Sequence, residues 1–408
     1  MRVIVAGGGI GGLTSALCLH RLGHEVIVLE AADVIRPLGV GINLLPHAGE
    51  ILADLGLLSA LEAGAMATRE LVYFNRHGQR IWSEPRGRYA GHATPQLSLH
   101  RGHLQLGLLR AVRAQLGDSK VVTAHRVTQV DQGASGVRVT AEWPDGSTAE
   151  VEGDLLIAAD GIHSRIRAQF YPDEGPPAYS GRVLWRGISY SRPFLTGASM
   201  IMAGHQNQKF VCYPIGPVRA DGFQPINWIA ELPVPQMLQR EDWNRPGVLD
   251  DFLPRFERWT FDWLDVPALI RSADAVFEFP MVDRDPLPGW THGRVTLLGD
   301  AAHPMYPVGS NGASQAILDA DALGRALSRE ASPEAALAAY EGHRLAATAA
   351  IVGANRGNGP EQCMQLAEER APQGFGRVEE VFAAGELEAI SKSYQVLTGL
   401  QRPDALDR

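Results

Sequence analysis

Arg2-Val-Ile-Val-Ala-Gly7-Gly-Gly9-Ile-Gly-Gly12-Leu13 is the stretch on which the fold turns. Three of residues 2–6 are β-branched and none of the five is a turn former, so they read as a short buried strand. Residues 13–22 carry apolar side chains at helical spacing, and Gly23 ends that helix because glycine accepts a left-handed cap without a Cβ penalty. A second strand is expected over 25–30. Strand, glycine turn, helix and strand make a βαβ unit of a parallel sheet. Within it Gly7, Gly9 and Gly12 have the spacing G-x-G-x-x-G, and Glu30 closes the second strand eighteen residues after Gly12. Such glycines let backbone approach a pyrophosphate, the helix opening at Leu13 puts its N-terminus on the phosphates, and Glu30 accepts from a ribose hydroxyl. The pattern implies a cofactor with an ADP moiety, FAD or NAD. The competing reading is a glycine turn in an unrelated α/β protein.

Outward from this unit, strand-like pieces are expected over 71–75 and 79–83, then a helix from Arg101 to about 116. Further strands are expected over 121–123, 127–130, 136–142 and 154–158. Residues 175–282 are rich in aromatics and prolines and read as a separate, mostly antiparallel sheet, with strands over 183–190 and 209–215. Another strand over 294–299 precedes a helix over 313–329, the apolar run 345–354 reads as a buried helix, and the last 55 residues read as helical with loops. The fold class is α/β: a Rossmann-like domain with an inserted antiparallel β-sheet domain and C-terminal helices. The expected division assigns 1–70, 101–174 and 284–355 to cofactor binding, 71–100 and 175–283 to substrate binding, and 356–408 to a helical region.

The chain has 408 residues, 45% of them hydrophobic and 20% charged, enough for a large core and unlike a disordered segment. A net charge of −9 without basic runs argues against a nucleic-acid partner. No apolar stretch approaches 18 residues, so no membrane span is expected. Three scattered cysteines, Cys18, Cys212 and Cys363, fit a reducing compartment, and nothing before residue 2 resembles a signal peptide. Cytoplasmic localisation is the expectation. His100 and His103 have metal-like spacing but no third ligand, and no metal site is expected. No GxSxG elbow supports a serine hydrolase.

Two further motifs place carboxylates at the carboxyl ends of strands, where ligands bind in open α/β sheets. One is Asp154-Leu-Leu-Ile-Ala-Ala-Asp160-Gly161-Ile-His-Ser164-Arg-Ile-Arg167. The other is Val295-Thr-Leu-Leu-Gly299-Asp300-Ala-Ala-His303-Pro304, leading into Pro307-Val-Gly309-Ser-Asn311-Gly312. By themselves they also read as strand-to-helix turns with capping aspartates, and His303 reads as a packed, hydrogen-bonded residue rather than a base. All three motifs in this order make residues 1–350 resemble the FAD-dependent aromatic hydroxylases, single-component flavoprotein monooxygenases with the p-hydroxybenzoate hydroxylase fold. Residues 35–43, Trp82-Ser-Glu-Pro-Arg-Gly87, Trp185-Arg-Gly187, Met281-Val-Asp-Arg-Asp-Pro286 and Asn311-Gly-Ala-Ser-Gln-Ala-Ile-Leu-Asp319 are similar to the phenazine hydroxylases of that family. From Asn355 onward the tail departs from them.

The resemblance implies FAD as cofactor, NADH or NADPH and O2 as co-substrates, and a C4a-hydroperoxide of the flavin as oxidant of a small aromatic or N-heteroaromatic substrate, with or without decarboxylation. It also implies site residues. Glu30 takes the FAD ribose, Arg101 the phosphate and ribityl region, Val127 the adenine through its backbone, and Asp300 the ribityl chain. Asp160 and Gly161 serve FAD and the approach of NAD(P)H, and the 36–43 loop with Gly41 lies beside the flavin ring. The loop from Pro307 through Gly309, Asn311 and Gly312 supports the reduced ring with backbone N–H groups and a helix N-terminus. Tyr213 matches a family position facing the ring to be hydroxylated, and a tyrosine packed on a half-buried sheet is the alternative. Trp185, Trp228 and Met305 are pocket candidates that core packing explains equally well, and Arg186 is a candidate partner for a substrate carboxylate. Competing functions are a reductase or cyclase of the same fold without oxygen insertion, and a flavin-binding protein without catalysis. The expected assembly is a monomer or homodimer.

Overall fold

The first expected strand forms as Arg2–Ala6, with Val3 to Ala6 fully buried. In this computed structural model, which describes residues 1–37, 39–133, 135–236, 245–357 and 359–400, it lies inside a six-stranded sheet. Leu38 of the 36–43 loop, Asn358 of the tail and the last eight residues of the expected helical region lie outside the described residues. The order is Thr291–His292, Val295–Leu297, Leu155–Ala158, Arg2–Ala6, Glu25–Leu29, Val121–Val122, and only the first pair is antiparallel. Val3–Ala6, Val26–Leu29 and Leu155–Ala158 are wholly apolar because a parallel sheet is covered on both faces.

The first helix, Ile10–Arg21, begins three residues earlier than its periodicity predicts. Helix propensity argues against the Gly11-Gly12 pair, but space decides. A Cβ on Gly12 would lie 2.0 Å from the Gly7 carbonyl oxygen, and one on Gly11 would lie 2.8 Å from Leu298. The run 345–354 belongs to one long helix, Pro333–Arg356, which packs beside Gly312–Arg329.

The aromatic-rich segment builds a seven-stranded sheet: Val276–Asp283, Ala178–Ser191, Gln224–Pro233, Gln208–Pro214, Ser199–His205, Glu70–Phe74, Arg80–Pro85. Only Ser199–His205 and Glu70–Phe74 pair in parallel. Ser199–His205 shows no alternation in sequence because nearly every residue in it is buried, so periodicity alone does not reveal it. Period two sends Phe210, Cys212, Trp228 and Ala230 to one face, against Phe252 and Phe256 of the helix Leu249–Phe256. Leu71, Tyr73, Met200, Met202, Val211 and Tyr213 occupy the other face.

That second face is covered by the tail. Cys363, Met364 and Ala367 of the helix Gln362–Arg370 and Leu387 of the helix Glu386–Leu397 join the same apolar cluster. The tail is thus a lid on the sheet. Lys209 fastens it: its Nζ lies 2.6 Å from Glu231 and 2.5 Å from Glu361, in a pocket where all three are buried. Burial disfavours the lysine's charge, but the two carboxylates outweigh it and raise its pKa. Among the described residues no helix is long and apolar enough to cross a membrane.

Candidate active site

Four adjacent parallel strands end on one edge of the six-stranded sheet. In spatial order they deliver Asp300 after Val295–Leu297, Asp160 after Leu155–Ala158, the glycine turn after Arg2–Ala6 and Glu30 after Glu25–Leu29. Three strand spacings separate the first from the last, on the order of 14 Å. The motifs scattered over three hundred residues of sequence therefore lie in line.

At one end, Gly7 takes φ +104°, and a Cβ there would sit 2.3 Å from the Ala159 carbonyl oxygen. Gly9 caps the helix, and no heavy atom lies within 4 Å of where its Cβ would be. Leu13 donates its N–H to the Gly9 carbonyl at 3.0 Å. Glu30 is aimed by backbone: it accepts from Gly8 N–H at 2.6 Å and Ala32 N–H at 2.7 Å. His125 N–H donates to the Glu30 carbonyl at 2.8 Å, and Val127, two residues on, is the second residue of the strand Arg126–Gln132.

In the middle, Asp160 accepts from Arg165 N–H at 3.0 Å, while its other oxygen is buried without a partner among the described residues. Burial raises its pKa. Gly161, at φ +82°, has open space around its Cβ position. At the far end the Asp300 carboxylate is exposed to the cleft. The surrounding protein raises its pKa, and His303 and Arg101 pull the other way. Arg101 opens the helix Arg101–Leu116, its N–H held by the Val40 carbonyl at 3.0 Å, and its side chain is exposed. Open space at a helix start, an unpartnered buried carboxylate oxygen and an exposed carboxylate at the opposite end fit an ADP-ribityl chain laid along the edge.

Two buried residues lock this edge together, and sequence reading assigned neither a role. Asp319, fully buried, accepts from Gly299 N–H at 3.1 Å, His303 Nε2 at 2.6 Å and Arg344 Nε at 2.8 Å. Despite burial, His303 and Arg344 lower its pKa to about 2. Arg167 donates to the carbonyls of Ala301 at 3.0 Å and Ala302 at 2.9 Å, tying the Asp160 motif to the Asp300 motif. His303 is a packed partner of Asp319.

The large sheet meets a small sheet of Gly41–Leu44, Leu97–His100 and Met66–Ala67 at Gly41. Gly41 N–H donates to Asn227 Oδ1 at 2.7 Å, and Arg186 donates to the Gly41 carbonyl at 2.8 Å. A Cβ on Gly41 would lie 2.4 Å from Asn227, so only glycine lets the two strands approach. Tyr213 is buried, pairs with Asn227 across the strands, and has the Arg186 guanidinium nearby. Burial pushes its pKa up, against the pull of Arg186. Arg186 is no surface residue: half-buried, it also stacks its guanidinium 5.5 Å from the Phe279 ring.

Pro307 is exposed, and Gly309 takes φ +66° within the turn Val308–Ser310, so the chain can reach Asn311 and the helix start at Gly312. Met305 is half-buried two residues before Pro307. Trp185 and Trp228 require correction. Both face the opposite side of the sheet, where Trp185 stacks on Phe252 at 5.0 Å and Trp228 bonds Ser189, in the core rather than the pocket. Their neighbours Arg186, Asn227 and Ile229 take the site-facing positions, because strand side chains alternate.

Beside the Gly309-Ser310 turn lies a small cavity of about 20 Å³, walled among others by Leu45, Leu71, Met200 and Met202. It borders a larger one of about 450 Å³ between Trp82, Arg86 and the tail helix Glu386–Leu397.

A parallel sheet edge carrying three ADP-type motifs, joined to an antiparallel sheet with an apolar cleft, defines the flavin-binding oxidoreductases with the aromatic-hydroxylase fold. The family profile described as "FAD binding domain" matches residues 1–355. Phenazine 1,6-dicarboxylic acid hydroxylase PhzS of Lysobacter antibioticus is 48% identical over 361 residues, 87% of this chain and 89% of that protein. The 3-hydroxybenzoate 6-hydroxylase 1 of Aquipseudomonas alcaligenes is 33% identical over 356 residues, 86% of each. The crystal structure of Klebsiella pneumoniae HpxO with FAD and uric acid superposes with a TM-score of 0.73 at 25% identity, covering 100% of this chain and 94% of that one. The chain belongs to this FAD-binding family and is an FAD-dependent aromatic hydroxylase. The family's monooxygenases use FAD, with NAD(P)H and O2 as co-substrates.

Proposed function

We propose that this chain hydroxylates a carboxylated N-heteroaromatic ring of the phenazine type. The observation that carries the reading is the 48% identity, spread over nearly the whole of both chains, to a protein named for a phenazine dicarboxylic acid. One ring, one O2 and one NAD(P)H with a proton give hydroxylated ring, water and NAD(P)+; loss of CO2 accompanies the step when the carboxyl-bearing carbon is the one attacked.

When bound, FAD supplies the acceptor for hydride and the place where O2 is activated. The chain supplies position and field. Gly7, Gly9, Gly12, Leu13, Glu30 and Val127 hold the ADP half; Asp160, Gly161, Arg101 and Asp300 hold the middle. Gly41 on one side and Pro307, Gly309, Asn311 and Gly312 on the other frame the ring. The helix beginning at Gly312 turns its positive end to that place, favouring negative charge there. Tyr213, with Arg186 and Asn227 beside it, offers a neutral phenol toward the substrate, with Met305 beside the same cleft. Pro307 and Tyr213 are the residues assigned to the reacting centre.

In this reading residues 1–70, 101–174 and 284–355 carry the cofactor, 71–100 and 175–283 the substrate, and 356–408 are the C-terminal helical region, whose helices Gln362–Arg370 and Glu386–Leu397 cover the sheet. The protein works in the cytoplasm as a monomer or homodimer. The test follows NADH and NADPH oxidation with phenazine-1-carboxylate, phenazine-1,6-dicarboxylate and 3-hydroxybenzoate, with product mass. Gain of one oxygen, or exchange of carboxyl for hydroxyl, on a phenazine supports the proposal. NAD(P)H oxidation yielding only hydrogen peroxide with every phenazine overturns it.

A further inference from the structure

The turn from Tyr306 to Asn311 has its exposed residue, Pro307, on one side and a buried cluster of amides and a phenol on the other. That cluster comes from far along the chain. Asn355, near the end of the helix Pro333–Arg356, donates its Nδ2 to the Tyr306 carbonyl at 3.1 Å. Its Oδ1 accepts from the Tyr394 hydroxyl at 2.8 Å, and the hydroxyl oxygen accepts from Asn311 Nδ2 at 2.7 Å. The Val308 carbonyl lies 3.3 Å from the same hydroxyl, and the Gly309 carbonyl accepts from Asn311 Nδ2 at 3.3 Å. Three carbonyls of the turn, at 306, 308 and 309, are thereby drawn to the buried side.

The Tyr394 ring sits in a slot made for it. A Cβ on Gly309 would lie 2.0 Å from its hydroxyl oxygen, and one on Gly359 would lie 2.8 Å from the ring; both glycines take positive φ, +66° and +48°. Asn355 is held firmly as well, because its neighbour Arg356 forks onto Asp283 with Nε at 2.7 Å and a terminal nitrogen at 2.9 Å. Asp283 is fully buried and ends the strand Val276–Asp283 of the large sheet. Tyr306 and Val308 pack with Phe279 and Met281 of that strand. The turn is therefore set at once against the large sheet and against the tail helix.

The first N–H groups of the helix opening at Gly312 have no partner within that helix and carry its partial positive charge. Carbonyl oxygens turned to the same side would cancel that field. We infer that Tyr394 and Asn355 are positioning residues of the hydroxylase. By holding the carbonyls of 306, 308 and 309 on the buried side, they leave the exposed side of the turn to the helix N-terminus, where negative charge on the reduced flavin is stabilised. This rests on the reading that the turn frames the flavin ring. The family profile ends at residue 355, so Tyr394 is a contribution of the tail beyond it.

The test measures the midpoint potential of bound FAD in wild type, Tyr394→Phe, Asn355→Ala and Leu387→Ala. Tyr394→Phe keeps the ring in its slot and removes only the hydroxyl. Leu387 lies on the same tail helix but joins the apolar cluster against the sheet and takes no part in the Tyr394 bonds, so its truncation loosens the cover alone. Tyr394→Phe and Asn355→Ala should each lower the ratio of reduced to oxidised flavin roughly tenfold at a given potential, a downward shift of about 30 mV for a two-electron couple, while Leu387→Ala keeps the wild-type value. Wild-type potentials in both Tyr394→Phe and Asn355→Ala, or an equal shift in Leu387→Ala, overturn the positioning role. Amide hydrogen exchange of the wild-type protein with and without FAD decides the reading beneath it. Protection of residues 308–314 by FAD supports the framing turn, and its absence overturns that reading and this inference together. Protection in wild type with unmoved potentials in the variants overturns this inference alone.

Discussion

Glu30 spends both carboxylate oxygens on the backbone N–H groups of Gly8 and Ala32, which fixes its direction before any cofactor arrives. Glu30→Ala removes a charged acceptor from the ribose end and leaves the Gly8 donor unmatched. A charged hydrogen bond contributes about 1.5–3 kcal/mol, so FAD affinity should fall roughly tenfold to a hundredfold, measured by fluorescence titration of the apoprotein. Wild-type affinity would remove Glu30 from the site. Tyr213 tests the substrate side. Tyr213→Phe keeps ring and volume and leaves Asn227 and Arg186 bonded to Gly41. FAD content should stay unchanged while kcat/KM drops by about tenfold and more NAD(P)H is spent on peroxide, since a loosely held ring misses its near-attack position. Product formed per NAD(P)H is the measurement. Wild-type coupling would make Tyr213 a packed residue only.

Among the elements, the tail helix Glu386–Leu397 has the largest unexpected effect on the site. Its Tyr394 hydroxyl accepts from Asn311 Nδ2 at 2.7 Å and donates to Asn355 Oδ1 at 2.8 Å. A Cβ on Gly309 would lie 2.0 Å from that hydroxyl oxygen. The turn proposed to frame the flavin ring is therefore propped from behind by a residue far along the chain. Tyr394→Phe should leave FAD bound at the ADP end but lower coupling, with a Tm loss of a few degrees from about 1–2 kcal/mol of lost hydrogen bonding. Gly309→Ala should be worse, because it adds strain at positive φ to a collision with Tyr394. If both variants keep full coupling, the helix is only a cover. The first βαβ unit, Arg2–Ala6, Ile10–Arg21 and Glu25–Leu29, was legible from periodicity and glycine punctuation, whereas the strands Gly41–Leu44 and Thr148–Gly153 and the helix Pro46–Asp54 were not. The lid was not, because residues 356–400 show helical tendency without saying which surface they cover.

Across the whole molecule, Asp319 joins the Gly299 turn, His303 and the Pro333–Arg356 helix through Arg344. Its carboxyl titrates near 2 when folded, against an ordinary value of 3.8. A depressed folded pKa means the stabilisation is complete above about pH 4 and is lost as pH falls toward 2, where native and unfolded states both hold the proton. The shift of roughly two units corresponds to on the order of 2–3 kcal/mol. Asp319→Asn should be less stable at pH 7, because His303 and Arg344 lose their buried partner. It should also lose less stability than wild type between pH 4 and 2.5. Parallel Tm profiles over that window would show that Asp319 is not the titrating link.

The sequence by itself determined the cofactor half. A glycine turn after an apolar strand, an acid at the end of the next strand and two aspartate motifs are local patterns, each forced by the backbone geometry of its own segment. It left Trp185 and Arg186, or Trp228 and Asn227, unresolved, since adjacent strand residues point to opposite faces and only the packed sheet says which face is core. Tertiary structure alone decided that Tyr213 lies beside Arg186 and Asn227, that Asp319 and Arg167 bind the motifs together, and that the tail covers one face of the large sheet. Those contacts join residues up to three hundred positions apart, and no local pattern encodes a distance that exists only once the two sheets have packed.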